Sequence, residues 1–141
     1  MYTSTTKIRV RYGETDQMGF LYYGNYALYY EVGRVEMLRD FGLSYKRLEQ
    51  EGIIMPVLEL RCKYIRPAKY DDLITVKTSL RQLPATRIVF YSELYNEQGE
   101  LLNMGETTLL FINAQTMSKT PPPDYLVEKF LPFFSHNEKE D

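Results

Sequence analysis

The chain has 141 residues, 44% hydrophobic and 26% charged, with a formal net charge of −2, the balance of one ordinary globular core rather than a disordered segment. That charge argues against broad attraction to nucleic acid, and no apolar run approaches the roughly 20 residues that span a bilayer. A single cysteine, Cys62, excludes an internal disulfide; with no secretory-type apolar stretch in MYTSTTKIRV, a cytoplasmic address is expected.

Residues 6–13 alternate Ile8, Val10 and Tyr12 with Lys7, Arg9 and Arg11, the period of a strand with one wet face. The stretch GETDQMGFLYYGNY (13–26) then sets one carboxylate, Asp16, among glycines and aromatics. Helical spacing takes over at 25–41: Tyr26, Tyr30, Gly33 and Met37 share a face that Leu28, Val32, Val35 and Leu38 extend. Glu31, Arg34, Glu36 and Arg39 form only a narrow stripe, so the helix is expected to be largely buried and to end at Gly42. Gly33 weakens the helix by about 1 kcal/mol, which close packing of another backbone would offset.

A second short helix runs from Ser44, its N-cap, to Gly52. Strands are expected at 57–65, 72–80, 86–96 and 101–113, with NEQGE (96–100) as a hairpin turn and Asp71-Asp72 opening the second of these strands. Cys62 alternates in phase with Leu58 and Leu60 and is expected to face the core. The tail carries three prolines and a short amphipathic segment, and is expected to be flexible from about 135.

One strand, a long helix and then four strands with short connections specify a single α+β domain over 1–141. The helix lies on one face of a curled antiparallel sheet of about five strands.

Familiar chemistries drop out quickly. With one histidine, His136, and one cysteine, there is no zinc-type cluster and no geometry for a Ser-His-Asp or Cys-His arrangement. Gly13, Gly19 and Gly24 match neither a P-loop nor a dinucleotide fingerprint, so no metal or redox cofactor is expected. Asp16 has two readings. One is a loop or cap residue. The other is a reactive carboxylate: Gly19 and Gly24 permit close backbone approach, Phe20, Leu21, Tyr22 and Tyr23 supply apolar wall, and the first N–H groups of the following helix are free to polarise a carbonyl. Such a carboxylate can activate water or attack an acyl group directly.

VRYGETDQMGFLYYGNYALYYEVGRVEML resembles the opening of hotdog-fold acyl-CoA thioesterases of the 4-hydroxybenzoyl-CoA thioesterase type. Asp16, Gly19, Tyr23, Asn25 and Tyr26 fill that pattern, and the likeness continues through KYIRPAKYDDLITV to about residue 120. The resemblance implies a sheet wrapped around one helix, Asp16 as general base or nucleophile, and the Tyr23 backbone N–H as oxyanion hole. Gly19 and Asn25 complete the implied site. Tyr23 stands where many acyl-CoA members have histidine, an exchange that a backbone donor survives.

The resemblance further implies an acyl-CoA substrate and a homodimer or homotetramer with the acyl groove between subunits. Arg66, Arg87 and Lys119 are candidates for the CoA phosphates, and Met55 and Met104, with Phe20, Leu21 and Tyr22, for the groove wall. Two alternatives stand beside acyl-CoA hydrolysis: a thioesterase acting on acyl carrier protein, and a non-catalytic acyl-CoA-binding protein. A hotdog dehydratase is disfavoured because its chemistry would need His136.

Overall fold

The computed structural model describes residues 1–134. Strands are β1 (Tyr2–Arg9), β2 (Ile53–Ile54), β3 (Val57–Tyr64), β4 (Leu73–Leu80), β5 (Arg87–Tyr95), β6 (Leu101–Leu110) and β7 (Ile112–Asn113). Helices are α1 (Tyr26–Arg39), α2 (Tyr45–Gln50) and α3 (Asp124–Phe130). Two short 3-10 turns, Tyr12–Glu14 and Tyr23–Asn25, frame the loop between β1 and α1. The expected flexible tail and His136 lie outside the described residues.

Five strands form one antiparallel sheet in the order β1-β4-β5-β6-β3, with β2 and β7 paired apart from it. The β5–β6 hairpin closes as its sequence requires: Asn96 N–H donates to Glu100 O at 3.1 Å, and Gly99 takes a φ of 77°. Ser44 caps α2 by accepting the Arg47 N–H. Asp72 accepts the Lys69 N–H at 2.9 Å in the turn before β4.

Helix α1 packs on β1, β4 and β5, and two glycines set how closely it lies. A Cβ on Gly33 would collide with Thr78 and Val76, and one on Gly105 would collide with the Tyr30 ring. Two buried clusters result. Tyr26, Tyr29, Tyr30, Ile74, Val76 and Leu94 fill one, while Met37, Leu38, Phe90, Phe111, Leu126 and Phe130 fill the other.

Several boundaries and faces differ from expectation. Strand β1 spans 2–9 rather than 6–13, because Thr3, Thr5 and Thr6 pair with β4 although they lack an apolar alternation. Residues 101–113 do not form one strand: the chain leaves β6 at Phe111, whose N–H donates to Thr86 O, and β7 turns to pair with β2.

On α1, Leu28 is 53% exposed and Val32 is exposed too, whereas Arg34, read as part of the wet stripe, is only 6% exposed. The Arg34 stem is buried, its guanidinium lies 5.9 Å from the Phe90 ring centre, and Nε donates to the Tyr45 hydroxyl at 3.3 Å. Strand β3 is an uncovered edge, so Leu58 and Leu60 are exposed rather than in the core. Cys62 is half-buried, with Sγ 3.1 Å from the Tyr30 hydroxyl.

Candidate active site

Asp16 sits in a loop closed on itself. Its N–H donates to Phe20 O at 2.8 Å, and the Gly19 N–H returns to Asp16 O at 3.0 Å. The turn needs a left-handed residue, supplied by Gly19 at φ 76°. The side chain joins in: Oδ1 accepts the N–H groups of Met18 at 2.9 Å and Phe20 at 3.2 Å. Both bonds fall on one oxygen, leaving Oδ2 without a hydrogen bond among the described residues. The loop is fastened to the segment after β3, where Leu21 N–H donates to Ala68 O at 2.8 Å and Tyr70 N–H to Gly19 O at 3.0 Å.

Tyr23 opens the 3-10 turn that leads into α1, a position whose N–H has no carbonyl of its own helix to donate to. Its carbonyl is held by the Tyr64 hydroxyl at 3.0 Å. The Tyr64 ring stands edge-on to those of Tyr23 and Tyr26, with centroids 6.4 and 5.3 Å away. Asp16, Phe20, Tyr23, Tyr26, Tyr64 and Ile65 thereby border one depression of about 320 Å³, with Met18 and Arg66 also on its lining. The Tyr26 phenol accepts the Ala68 N–H at 3.3 Å, and burial raises its pKa. It therefore stays protonated, an apolar wall with one neutral polar tip.

The remaining candidates scatter. Asn25 donates its side-chain amide to Glu14 O at 3.0 Å, and Gly19 serves the turn, so both shape the loop rather than border the depression. Phe20 and Leu21 line the depression, and the Tyr22 ring lies 4.7 Å from that of Tyr23. Met55 borders a separate cavity beside Arg34 and Tyr45, and Met104 a depression with Lys63 and Glu106. Arg66 is ion-paired to Glu100 at 2.7 Å. Arg87 borders another depression with Val89 and Tyr91, and Lys119 bridges to Ile112.

Sequence reasoning did not single out Glu14, Tyr29 or Tyr64. The Glu14 carboxylate accepts the Tyr29 hydroxyl at 2.9 Å and the Arg11 N–H at 2.9 Å. Burial alone would raise its pKa, but these two donors and the Arg11 guanidinium outweigh that and hold it below the ordinary carboxylate range. Burial and the same carboxylate push the Tyr29 phenol well up, so the proton stays on Tyr29. The signal for Tyr29 was its place three residues after Tyr26 on the helix; nothing local announces Tyr64.

The profile of the thioesterase-like superfamily matches residues 10–130. The chain is 37% identical over 101 residues to a putative acyl-CoA thioesterase, YneP, of Bacillus subtilis, covering 72% of this chain and 73% of that one. It is 30% identical over 123 residues to the acyl-CoA thioester hydrolase YbgC of Escherichia coli O157:H7, covering 87% and 92%. Among solved structures, a DHNA-CoA thioesterase from Staphylococcus aureus superposes with a TM-score of 0.80 at 35% identity, over 99% of this chain and 91% of that one. With its α1 on a five-stranded antiparallel sheet, this chain has the hotdog fold and belongs to the thioesterase-like superfamily.

Proposed function

We propose that this protein hydrolyses acyl-CoA thioesters to the free acid and CoA. The observation that carries the reading is the two-sided hold on Asp16: Oδ1 is pinned by two backbone N–H groups while Oδ2 is unbonded among the described residues, in a depression that also contains the start of α1. A thioester carbonyl oxygen placed against the Tyr23 N–H gains a donor and the positive end of the helix as charge develops on it. Asp16 Oδ2 takes a proton from the attacking water, or itself attacks the carbonyl carbon to form an anhydride that water then opens. In the first route the protonated Asp16 returns its proton to the departing thiolate; in the second the thiolate leaves as the anhydride forms and takes its proton from solvent, and the water that opens the anhydride restores the carboxylate. Tyr23, Tyr26 and Tyr64 supply an apolar wall, of which Tyr23 and Tyr64 are exposed in the single chain; cover from a second copy would exclude water and strengthen those electrostatic interactions.

The reading includes a homo-oligomer. Strand β3 leaves one edge of the sheet open, with Val57, Leu58 and Leu60 exposed on it and Leu28 and Val32 exposed on α1. An apolar open edge is a template for pairing with another copy. Antiparallel pairing of two such edges sets the Val57 end of one strand beside the Tyr64 end of the other. In a register centred on β3, this pairing brings a second copy up to the Tyr64 and Ile65 side of the Asp16 depression. Arg66, at the rim of that depression, is the CoA-phosphate candidate this geometry favours over Arg87 and Lys119. A reducing, cytoplasmic compartment suits the single free thiol of Cys62.

The test is thiol release across short, long, branched and aromatic acyl-CoAs, with acyl carrier protein thioesters alongside and Asp16→Asn as control. Turnover of carrier-bound chains alone would move the substrate to acyl carrier protein. Binding of acyl-CoA without turnover would make the protein a non-catalytic binder.

A further inference from the structure

Glu14 stands two residues before Asp16, takes no part in the chemistry above, and gathers bonds from four directions. Its Oε1 accepts the Arg11 N–H and the Tyr29 hydroxyl, each at 2.9 Å. Its main-chain oxygen accepts the Tyr22 N–H at 2.9 Å and the Asn25 side-chain amide at 3.0 Å. The Arg11 bond is a local cap on a 3-10 turn and by itself says nothing about catalysis. The Tyr29 bond is different in kind: it joins residues 15 apart in sequence, ties the carboxylate loop to the first turn of α1, and involves a side chain only 14% exposed.

Tyr29 is itself buried in the core cluster with Tyr26, Tyr30, Ile74 and Val76, so it is a firm anchor. The residue held by the Glu14 carbonyl, Tyr22, immediately precedes the Tyr23 N–H. Glu14 is thus bonded both to α1 through its side chain and to the segment that leads into the Tyr23 turn through its main chain. Its side chain anchors on α1 the segment two residues before Asp16, and its main chain holds the residue just before the Tyr23 donor.

We propose that Glu14 and Tyr29 are positioning residues for thioester hydrolysis: their hydrogen bond sets the separation between the Asp16 carboxylate and the Tyr23 N–H. The proposal rests on the hydrolase reading above. Displacing a reacting group by about 1 Å costs on the order of a hundredfold in rate, so a slackened clamp is expected to reduce kcat while leaving acyl-CoA affinity in place. A merely stabilising staple would lower the melting temperature and leave kcat alone well below that temperature.

The experiment compares the full chain with Tyr29→Phe, Glu14→Ala, Glu14→Gln and the Tyr29→Phe/Glu14→Ala pair, by steady-state kinetics on one turned-over acyl-CoA and by backbone amide shifts. Tyr29→Phe and Glu14→Ala are expected to lower kcat about tenfold or more with KM within about twofold. Glutamine still accepts both bonds, so Glu14→Gln is expected to retain kcat within about threefold. The double variant is expected to be no worse than Glu14→Ala, because one interaction is lost only once. The amides of Met18, Phe20 and Tyr23 are expected to shift in Tyr29→Phe, a readout that needs no turnover. Wild-type kcat in Tyr29→Phe and Glu14→Ala, or unmoved amides, overturns the proposal. A wild-type chain that hydrolyses no thioester while those amides still move sinks the hydrolase reading instead, leaving the clamp a fact of geometry without a catalytic role.

Discussion

The ring of Tyr30 rests on the backbone of Gly105 so closely that a Cβ at 105 would overlap ring atoms Cε2 and Cζ. Tyr30 has no room to withdraw: it is fully buried, and its hydroxyl donates to Asn103 Oδ1. Gly105→Ala is therefore expected to destabilise the protein by about 1–3 kcal/mol through overpacking, read as a lower denaturant midpoint at unchanged slope. An unchanged midpoint would mean that α1 lies farther from the sheet than described.

Gly33→Ala sets two effects against each other. Alanine improves helix propensity by about 1 kcal/mol. Its Cβ would meet Thr78 Oγ1 and stand 2.9 Å from Val76 Cγ1, both on a strand that cannot recede. Overpacking of this kind costs about 1–3 kcal/mol, so net destabilisation is expected by urea unfolding. A more stable variant would contradict the close contact between α1 and β4.

Two substitutions at Asp16 separate its structural and chemical duties. Asparagine retains an Oδ1 that accepts from Met18 and Phe20, so Asp16→Asn is expected to unfold within about 0.5 kcal/mol of wild type. Alanine forfeits those bonds, at a cost of about 1 kcal/mol. Both are expected to slow thioester hydrolysis at least about a hundredfold. Thiol release by Asp16→Asn at the wild-type rate would remove the carboxylate from the mechanism.

Glu14 makes stability fall in acid. Its folded pKa lies below the unfolded value of about 4.3, so the folded state prefers the ionised form. That contribution is complete above the unfolded value and is lost as pH falls through the folded one. Glu14→Gln is expected to flatten this part of the acid limb in urea unfolding between pH 3 and 7. Superimposable pH profiles for the two chains would show that the carboxylate gains nothing from Tyr29 and Arg11.

The open edge predicts assembly. Leu60 is 44% exposed on β3, and a lysine there places a charge on a pairing edge. Wild type is expected to sediment as a dimer or larger, and Leu60→Lys as a smaller species with reduced kcat. A wild-type chain that sediments as a monomer at micromolar concentration would sink the proposed pairing.

Much of this was legible in one dimension, because local rules decide it. The period of the apolar residues specified a helix near 25–41, found at Tyr26–Arg39, and strands that match β3, β4, β5 and, as far as Leu110, β6; Gly99, Gly42 and Ser44 marked the hairpin and the helix ends; and glycine spacing around Asp16 announced a tight loop before a helix. Residues distant in sequence decided the rest. Leu58 and Leu60 alternate like core residues and lie bare, because α1 reaches β1, β4 and β5 while β3 is left at the edge. Arg34 reads as solvent-facing and is buried, because Phe90 and Tyr45 arrive from elsewhere to receive it. The Glu14–Tyr29 bond and the Tyr64 hydroxyl on the Tyr23 carbonyl join segments that no periodicity relates. Periodicity reports which face of an element is apolar, whereas the partner that covers that face is chosen only when the sheet is assembled.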